Sequence, residues 1–337
     1  MAVKWRSMLV GGAISAGCLF VLARKIDLAK TGEALARADP TWLIVALALI
    51  AASVVVRCWR WQLLFLPDHR VSLWSTISST LIGYMFNTVL PGRVGELARA
   101  SLVSQTGTVG TARALGTILV EKILDVLVLL LGLGALTAVI PLPAWATTAG
   151  VSASIVFGTV AAAFFVLSNF RGPVVAWAAR YVDRLPLAGR LHPSSVADML
   201  LGAADGLRRP RLLVLQLIVS PALWLLALFT VVAVMRAFQL EAPWTAGALM
   251  LVMTNLGMTV PSAPGYVGVY HAIAVLSLSF FGVDPAVALS CAVALHALGF
   301  GSFTIIGALL LVTGLLQQAY TVSDIWRWRA PALSRQS

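Results

Sequence analysis

Charge is what this chain has least of. Of its 337 residues 11% are charged and 60% hydrophobic, and Asp and Glu together number 13. With a mean hydropathy of +0.93, such a chain leaves no face polar enough to meet solvent, which excludes a water-soluble globule. Cysteine is scarce as well: Cys18, Cys58 and Cys291 lie in or beside apolar segments, with neither paired nor metal-ligand spacing, which argues against disulfides and zinc. The sequence holds no HExxH, Walker-type glycine loop, CxxC or GxSxG, so neither ATP-driven pumping nor familiar hydrolysis is indicated. It offers no polar stretch for a sizeable soluble catalytic domain and implies no cofactor. The net charge of +11 would suggest nucleic acid in a soluble protein. Here the arginines gather between apolar runs, so anionic headgroups rather than nucleic acid are the expected partners.

What the sequence does have is a succession of apolar segments. The first, about Met8 to Leu22, follows Lys4 and Arg6 and ends without a small-x-small cleavage site, and so reads as an uncleaved helix. Residues 24–40 mix four basic with three acidic side chains and suit a short interfacial helix ended by Asp39-Pro40. A span follows from about Trp42 to Val56, and Arg57-Cys-Trp-Arg60-Trp61 reads as its anchor at the headgroups. Next come an apolar segment at about 71–90, a polar helix from Val94 to Gln105, and apolar helices near 112–140, 144–168, 212–235 and 286–316. The loop 170–211 carries seven Arg against three Asp, which places it in the cytoplasm, and the tail 317–337 with Arg327, Arg329 and Arg335 points the same way. The connections 141–144 and 238–244 lack basic residues and are expected to face outward.

Two apolar segments are broken in a similar way, one by Asn87-Thr-Val-Leu-Pro91-Gly92-Arg93-Val-Gly95-Glu96, the other by Asn255 through Pro261-Ser-Ala-Pro264-Gly265-Tyr-Val-Gly268-Val-Tyr270. Proline removes a backbone donor, and irregular backbone survives at membrane depth only where protein or water satisfies it. Both termini stay cytoplasmic only if each break is the tip of a hairpin that enters and leaves by one face. Setting Gly107 against Gly282 aligns the helices that follow without a gap, and Glu121 and His296 each then fall fourteen residues on. The expectation is an all-α polytopic membrane protein, a single domain over 1–337, with about six full spans and two opposed re-entrant hairpins. It is an inverted repeat, its halves covering about 1–140 and 144–316, around a central transport site.

Candidate site residues follow from polarity out of place. Arg113, Thr117, Glu121 and Asp125 recur every four residues, so they share a helix face, with Lys122 beside them. That face either lines a transport route or forms an internal ion-pair network, Lys122 with Glu121 or Asp125, that pins helices together. Arg93, Glu96 and Arg99 follow the first break at a helix N-terminus, which suits a phosphate, unless Glu96 caps the helix and pairs with an arginine. At the second break Pro264, Gly265 and Gly268 shape the turn, and Asn255, Tyr270 and His271 offer hydrogen bonds. His296 is either a proton relay or a hydrogen-bonded packing residue.

The run from Asn87 to Glu96, then Arg113-Ala-Leu with Val120-Glu121-Lys122 and Asp125, then Pro-Ser-Ala-Pro-Gly-Tyr-Val-Gly, resembles the flippase-like-domain family. That family is similar to the transmembrane flippase half of bacterial lysylphosphatidylglycerol synthases. The likeness spans about residues 7–316 and implies a lipid translocase in the bacterial inner membrane. The family's N-x-x-x-P-G-R-x-G-E element falls on Asn87, Pro91, Gly92, Arg93, Gly95 and Glu96, and its E-R/K-x-x-D element on Glu121, Lys122 and Asp125. Two departures bear on the headgroup: Tyr270 and His271 stand where relatives often have an acidic residue, and Lys122 stands where Arg is usual. The likeness is to the membrane half only, so aminoacyl transfer to lipid is not implied. The expected cargo is an anionic phospholipid or a polyprenyl-phosphate lipid. Two alternatives are an accessory subunit working with envelope-biosynthesis proteins and an intramembrane enzyme acting on lipid phosphates.

Overall fold

The computed structural model describes residues 2–66, 70–90, 94–169, 210–259, 262–317 and 319–325. Among these, every regular element is a helix. The order is α1 (Ala2–Lys25), α2 (Leu28–Ala36), α3 (Pro40–Leu63), α4 (Leu73–Val89), α5 (Gly95–Ser104), α6 (Thr111–Val139), α7 (Ala144–Asn169), α8 (Pro210–Ala237), α9 (Trp244–Gly257), a 3₁₀ turn (Pro264–Tyr266), α10 (Val269–Ser279), α11 (Pro285–His296), a π-helical turn (Ala297–Gly301), α12 (Ser302–Leu316) and α13 (Val322–Ile325). Four helical segments are long and apolar enough to cross a membrane: α3, α6, α8 and the continuous Pro285–Leu316. With α1 at 24 residues and α7 at 26, six helices reach the roughly 20 residues a bilayer core requires. The interfacial helix is α2, its first turn closed by Asp27, whose carboxylate accepts from the amides of Ala29 and Lys30.

α3 and α8 run antiparallel along each other: the Asp39 amide donates to the Ala237 carbonyl at one end, and Arg60 meets Gln216 and Ser220 at the other. Their C-termini therefore lie at opposite faces of the bundle. Each of those ends leads into a pair of packed helices, α4–α5 after α3 and α9–α10 after α8. Several contacts among the described helices come in corresponding pairs. α6 packs on α9 as α12 packs on α4, and α5 packs on α6 as α10 packs on α11. The hairpin tips meet, since Gly265 lies against Thr88. Gly107 and Gly282 both adopt left-handed backbone, at φ 77° and 79°, so the two positions aligned from sequence end their helices alike.

Close packing sets the glycines of the hairpins. A β-carbon on Gly95 would collide with the Gly83 carbonyl, and one on Gly83 would sit 2.8 Å from the Gly95 carbonyl, so only this pair lets α4 and α5 touch. In the second break Gly268 has φ 91°, and a β-carbon there would lie 2.6 Å from the Ser15 carbonyl of α1. Ser15 accepts from the Ala263 amide at 2.8 Å, which satisfies a donor left free where the helix is broken.

Two predictions arise. Gly268→Ala imposes both a disfavoured backbone and a clash with α1, costing about 1–3 kcal/mol, and is expected to lower the midpoint of thermal unfolding in detergent. At the surface Lys30 reaches Asp284 at 2.7 Å, tying α2 to the start of α11. The Lys30 ammonium, with help from the Ala286 and Val287 amides, holds the Asp284 carboxyl below its ordinary value, and Asp284 in turn raises Lys30. The carboxylate contribution is present above about pH 3.9 and is lost as pH falls through the lowered folded value; the lysine contribution persists up to about pH 10.4 and is lost above the raised one. The stability difference between the protein and Asp284→Asn should be flat from about pH 5 to 9 and shrink on acidification, as measured by thermal unfolding across pH.

Candidate functional site

The sequence places one acidic pair inside α6, and the fold brings three arginines to it. Glu121 and Asp125 are one turn apart, about 15 Å along the helix from its start at about 1.5 Å per residue. Arg57 and Arg60 are likewise a turn apart on α3, so their guanidinium groups meet the carboxylates side by side. Arg57 lies 2.8 Å from Asp125 and 3.5 Å from Glu121, and Arg60 lies 2.7 Å from Asp125 and 3.8 Å from Glu121. From α5, Arg99 grips both Glu121 oxygens, at 2.8 and 3.3 Å. Its other flank is covered by Trp61, whose ring centre is 3.7 Å from the guanidinium carbon, a cation–π contact in a desolvated setting. The Trp61 indole donates to Thr117 at 3.0 Å. From the opposite half, Ser220 accepts from Arg60 at 3.0 Å and Gln216 donates to the Arg60 carbonyl at 2.9 Å.

This network has a sealed core and an open edge. The side chains of Arg60, Arg99 and Glu121 are 0% exposed, whereas Arg57 is 19%, Glu96 22% and Lys122 43% exposed. A charge at the centre of a bilayer costs about 2.5–3.5 kcal/mol even on a lenient scale, so the core persists because each charge has opposite partners within contact distance. Lys122 does not pair with Glu121 or Asp125, the arrangement expected for a structural network. It reaches Glu96 at 3.2 Å, at the edge. Glu96 also lies near Asn87, 3.5 Å from its amide nitrogen, and the Asn87 oxygen accepts from the Gly95 amide at 2.9 Å. Glu96 and Arg99 approach at 3.9 Å. Arg57, Arg60, Arg99 and Lys122 against Glu96, Glu121 and Asp125 leave four positive charges to three negative. Tyr84 of α4 stands within electrostatic reach of Arg57, Lys122, Glu121 and Arg99.

The other sequence candidates fall into three groups. Pro91, Gly92 and Arg93 lie outside the described residues. Arg113 is half-buried, two turns before Glu121 on α6, and Thr117 between them is buried. At the second break Tyr270 and His271 are buried, and Asn255 spends its amide nitrogen on the Leu251 carbonyl of its own helix at 2.8 Å. His271 and His296 stack at 4.9 Å between ring centres with planes 14° apart. Tyr270 stands edge-on to both, and Phe300 stacks on His296 at 4.5 Å. The first half thus holds charge beside its hairpin and the second holds imidazole and aromatic rings. Among the described residues no group of three His, Cys, Asp or Glu is placed to hold a metal.

One expectation requires correction. Arg60 and Trp61 do not face the surroundings of the protein as an anchor would; both are fully buried, because α3 runs on to Leu63 instead of ending near Val56, and Glu121 and Asp125 on α6 draw the arginines inward. The span expected near 286–316 is present as Pro285–Leu316, with a π turn at Ala297–Gly301 inside it. The missed arginines had a signal, namely Arg57 and Arg60 at i, i+3 against Glu121 and Asp125 at i, i+4, complementary spacings on two helices. Gln216 and Ser220, one turn apart in an otherwise apolar stretch, had the same kind of signal.

The profile of the lysylphosphatidylglycerol synthase transmembrane region matches residues 8–307. The chain belongs to that family. The match takes in both hairpins and the whole ion network, and it gives this multi-pass membrane protein a role connected with membrane lipid. Neither a curated protein nor a solved structure gives a match.

The split between core and edge sets different costs for substitution in this family member. Arg60→Met leaves Asp125 and Glu121 short of a partner in a dry site and is expected to cost about 3–5 kcal/mol. Lys122→Gln removes a half-exposed pair worth about 0–1 kcal/mol. Thermal unfolding in detergent should separate the two clearly; equal losses would show that the edge is as structural as the core.

Proposed function

We propose that the protein moves an anionic lipid, a phospholipid or a polyprenyl-phosphate-linked lipid, between the leaflets of the bacterial inner membrane. The observation that carries the reading is the open edge of the ion network. Lys122, Arg57 and Glu96 keep part of their surface accessible beside the first hairpin, in a site with one positive charge in excess, where a purely structural network gains nothing by staying open. In this reading the lysine ammonium and neighbouring backbone amides hold the headgroup phosphate, Glu96 releases Lys122 as the phosphate arrives, and the acyl or prenyl tails remain in lipid. Arg93, which follows the Pro91-Gly92 break in the sequence, adds a further cation for the phosphate. The two halves rock about the antiparallel α3–α8 pair, and the hairpins, re-entrant from opposite faces, exchange access between sides. The arginine-rich loop and both termini lie in the cytoplasm, so the charged hairpin opens to that side. No chemical change of the lipid is part of the reading, and envelope-biosynthesis proteins are its expected neighbours in the cell.

The test is lipid transport in phosphatidylcholine proteoliposomes carrying a fluorescent phosphatidylglycerol, with the lipids that copurify with the protein identified by mass spectrometry. Lys122→Gln and Arg93→Ala are each expected to lower the rate at least tenfold and to lose an enriched anionic lipid, while their unfolding midpoints stay within a few degrees of the parent. Full rates in both, at normal stability, would overturn the assignment of the charged edge. A chemically altered lipid would point instead to an enzyme.

A further inference from the structure

The second half of the repeat has a site of its own. His296 stands fourteen residues after the left-handed Gly282, as Glu121 stands fourteen after Gly107. Where the first half gathers arginines and carboxylates, the second gathers rings. His271 accepts from the Gly268 amide through Nδ1, at 3.4 Å, which leaves its Nε2 as the protonated nitrogen in the neutral ring. Nδ1 of His296 is buried without a hydrogen-bond partner among the described residues. Such an atom marks a place that wants a proton or a donor.

Among the described residues no carboxylate is placed against the ring pair. The group that acts electrostatically on His296 is His271, and the further titratable neighbours are Tyr270 of α10 and Cys291 of α11. α1 contributes Ser15, engaged with the Ala263 amide, and α9 contributes Asn255, engaged with its own helix. α2 contributes Lys30, paired with Asp284 at the surface, and α8 contributes Arg236, placed over Trp42 at its far end. An imidazolium formed here meets no carboxylate among the described residues, so an incoming anion is its natural partner. Two parallel rings 4.9 Å apart cannot both be charged without repulsion, so the pair takes one proton. The π turn that begins right after His296 is a local irregularity of the kind that allows a ring to shift within a helix.

We propose that the stacked His271–His296 pair is a second headgroup station, which binds the lipid phosphate of the outward half together with one proton. The proposal rests on the translocation reading and deepens it. A proton passes from water to an imidazole nitrogen as the phosphate docks and returns to water as it leaves. A monoanionic headgroup then crosses the second half with its charge cancelled and does no work against the membrane potential, whereas the arginine-bearing first half meets it without a proton.

Two measurements decide it. In phosphatidylcholine proteoliposomes carrying fluorescent phosphatidylglycerol, the transport rate of the protein should fall about tenfold per pH unit on the alkaline side of its midpoint, and His296→Gln and His271→Gln should lose that slope. A pH-independent parent, or variants that keep the slope, would overturn the station. The second measurement does not need transport: nitrogen-15 spectra of the histidine-labelled protein at pH 7, in phosphatidylcholine nanodiscs with and without a few per cent phosphatidylglycerol. One imidazole of the pair should become protonated when phosphatidylglycerol is present, relative to the reference histidines His69 and His192; an unchanged pair would overturn the proposal. Protonation without transport would retain the station and count against translocation alone.

Discussion

Charges that cannot be left bare in an apolar medium govern this molecule. Glu121 and Asp125 sit about three turns inside a long apolar helix, and an unpaired carboxylate there would neutralise or drive the helix out of the membrane. The pairing with Arg57, Arg60 and Arg99 therefore joins α3, α5 and α6, and through Ser220 and Gln216 it reaches α8 of the opposite half. Lipid provides no hydrophobic drive for helices to associate. Polar contacts of this kind, with close glycine packing such as Gly83 against Gly95, take over the task that a water-driven core performs in a soluble protein.

The two helix pairs that end at the left-handed glycines Gly107 and Gly282 share a similar packing but differ in chemistry. One hairpin stands beside arginines and carboxylates, the other beside stacked imidazoles and tyrosine. The accessible edge at Lys122 and Glu96 and the stacked ring pair at His271 and His296 are the places where this asymmetry is chemical.

Much of the fold was legible in the sequence. Runs of apolar residues longer than a bilayer requires, broken by Asp39-Pro40, by Pro-Gly pairs and by Gly107 and Gly282, mark helix ends within a few residues, since backbone groups in lipid have few alternatives to helix. The polar face of α6 was legible too, because a four-residue recurrence of Arg113, Thr117, Glu121 and Asp125 cannot be turned to lipid. The place of Arg60 and Trp61 was not. A cation and an indole at a helix end fit a headgroup belt equally well, and what overrules that preference is a carboxylate 61 or more residues away in the chain.

By itself the sequence determined that the chain is helical, membrane-embedded and twice broken, because these depend on local hydropathy and on proline and glycine along one chain. Tertiary structure decided which charge meets which: that Arg99 rather than Lys122 holds Glu121, that Lys122 is left at an open edge, and that His271 and His296 lie face to face. Such choices turn on distances between separate helices, and the free energy of an ion pair or a ring stack falls away over a few ångströms, a scale that sequence spacing does not encode.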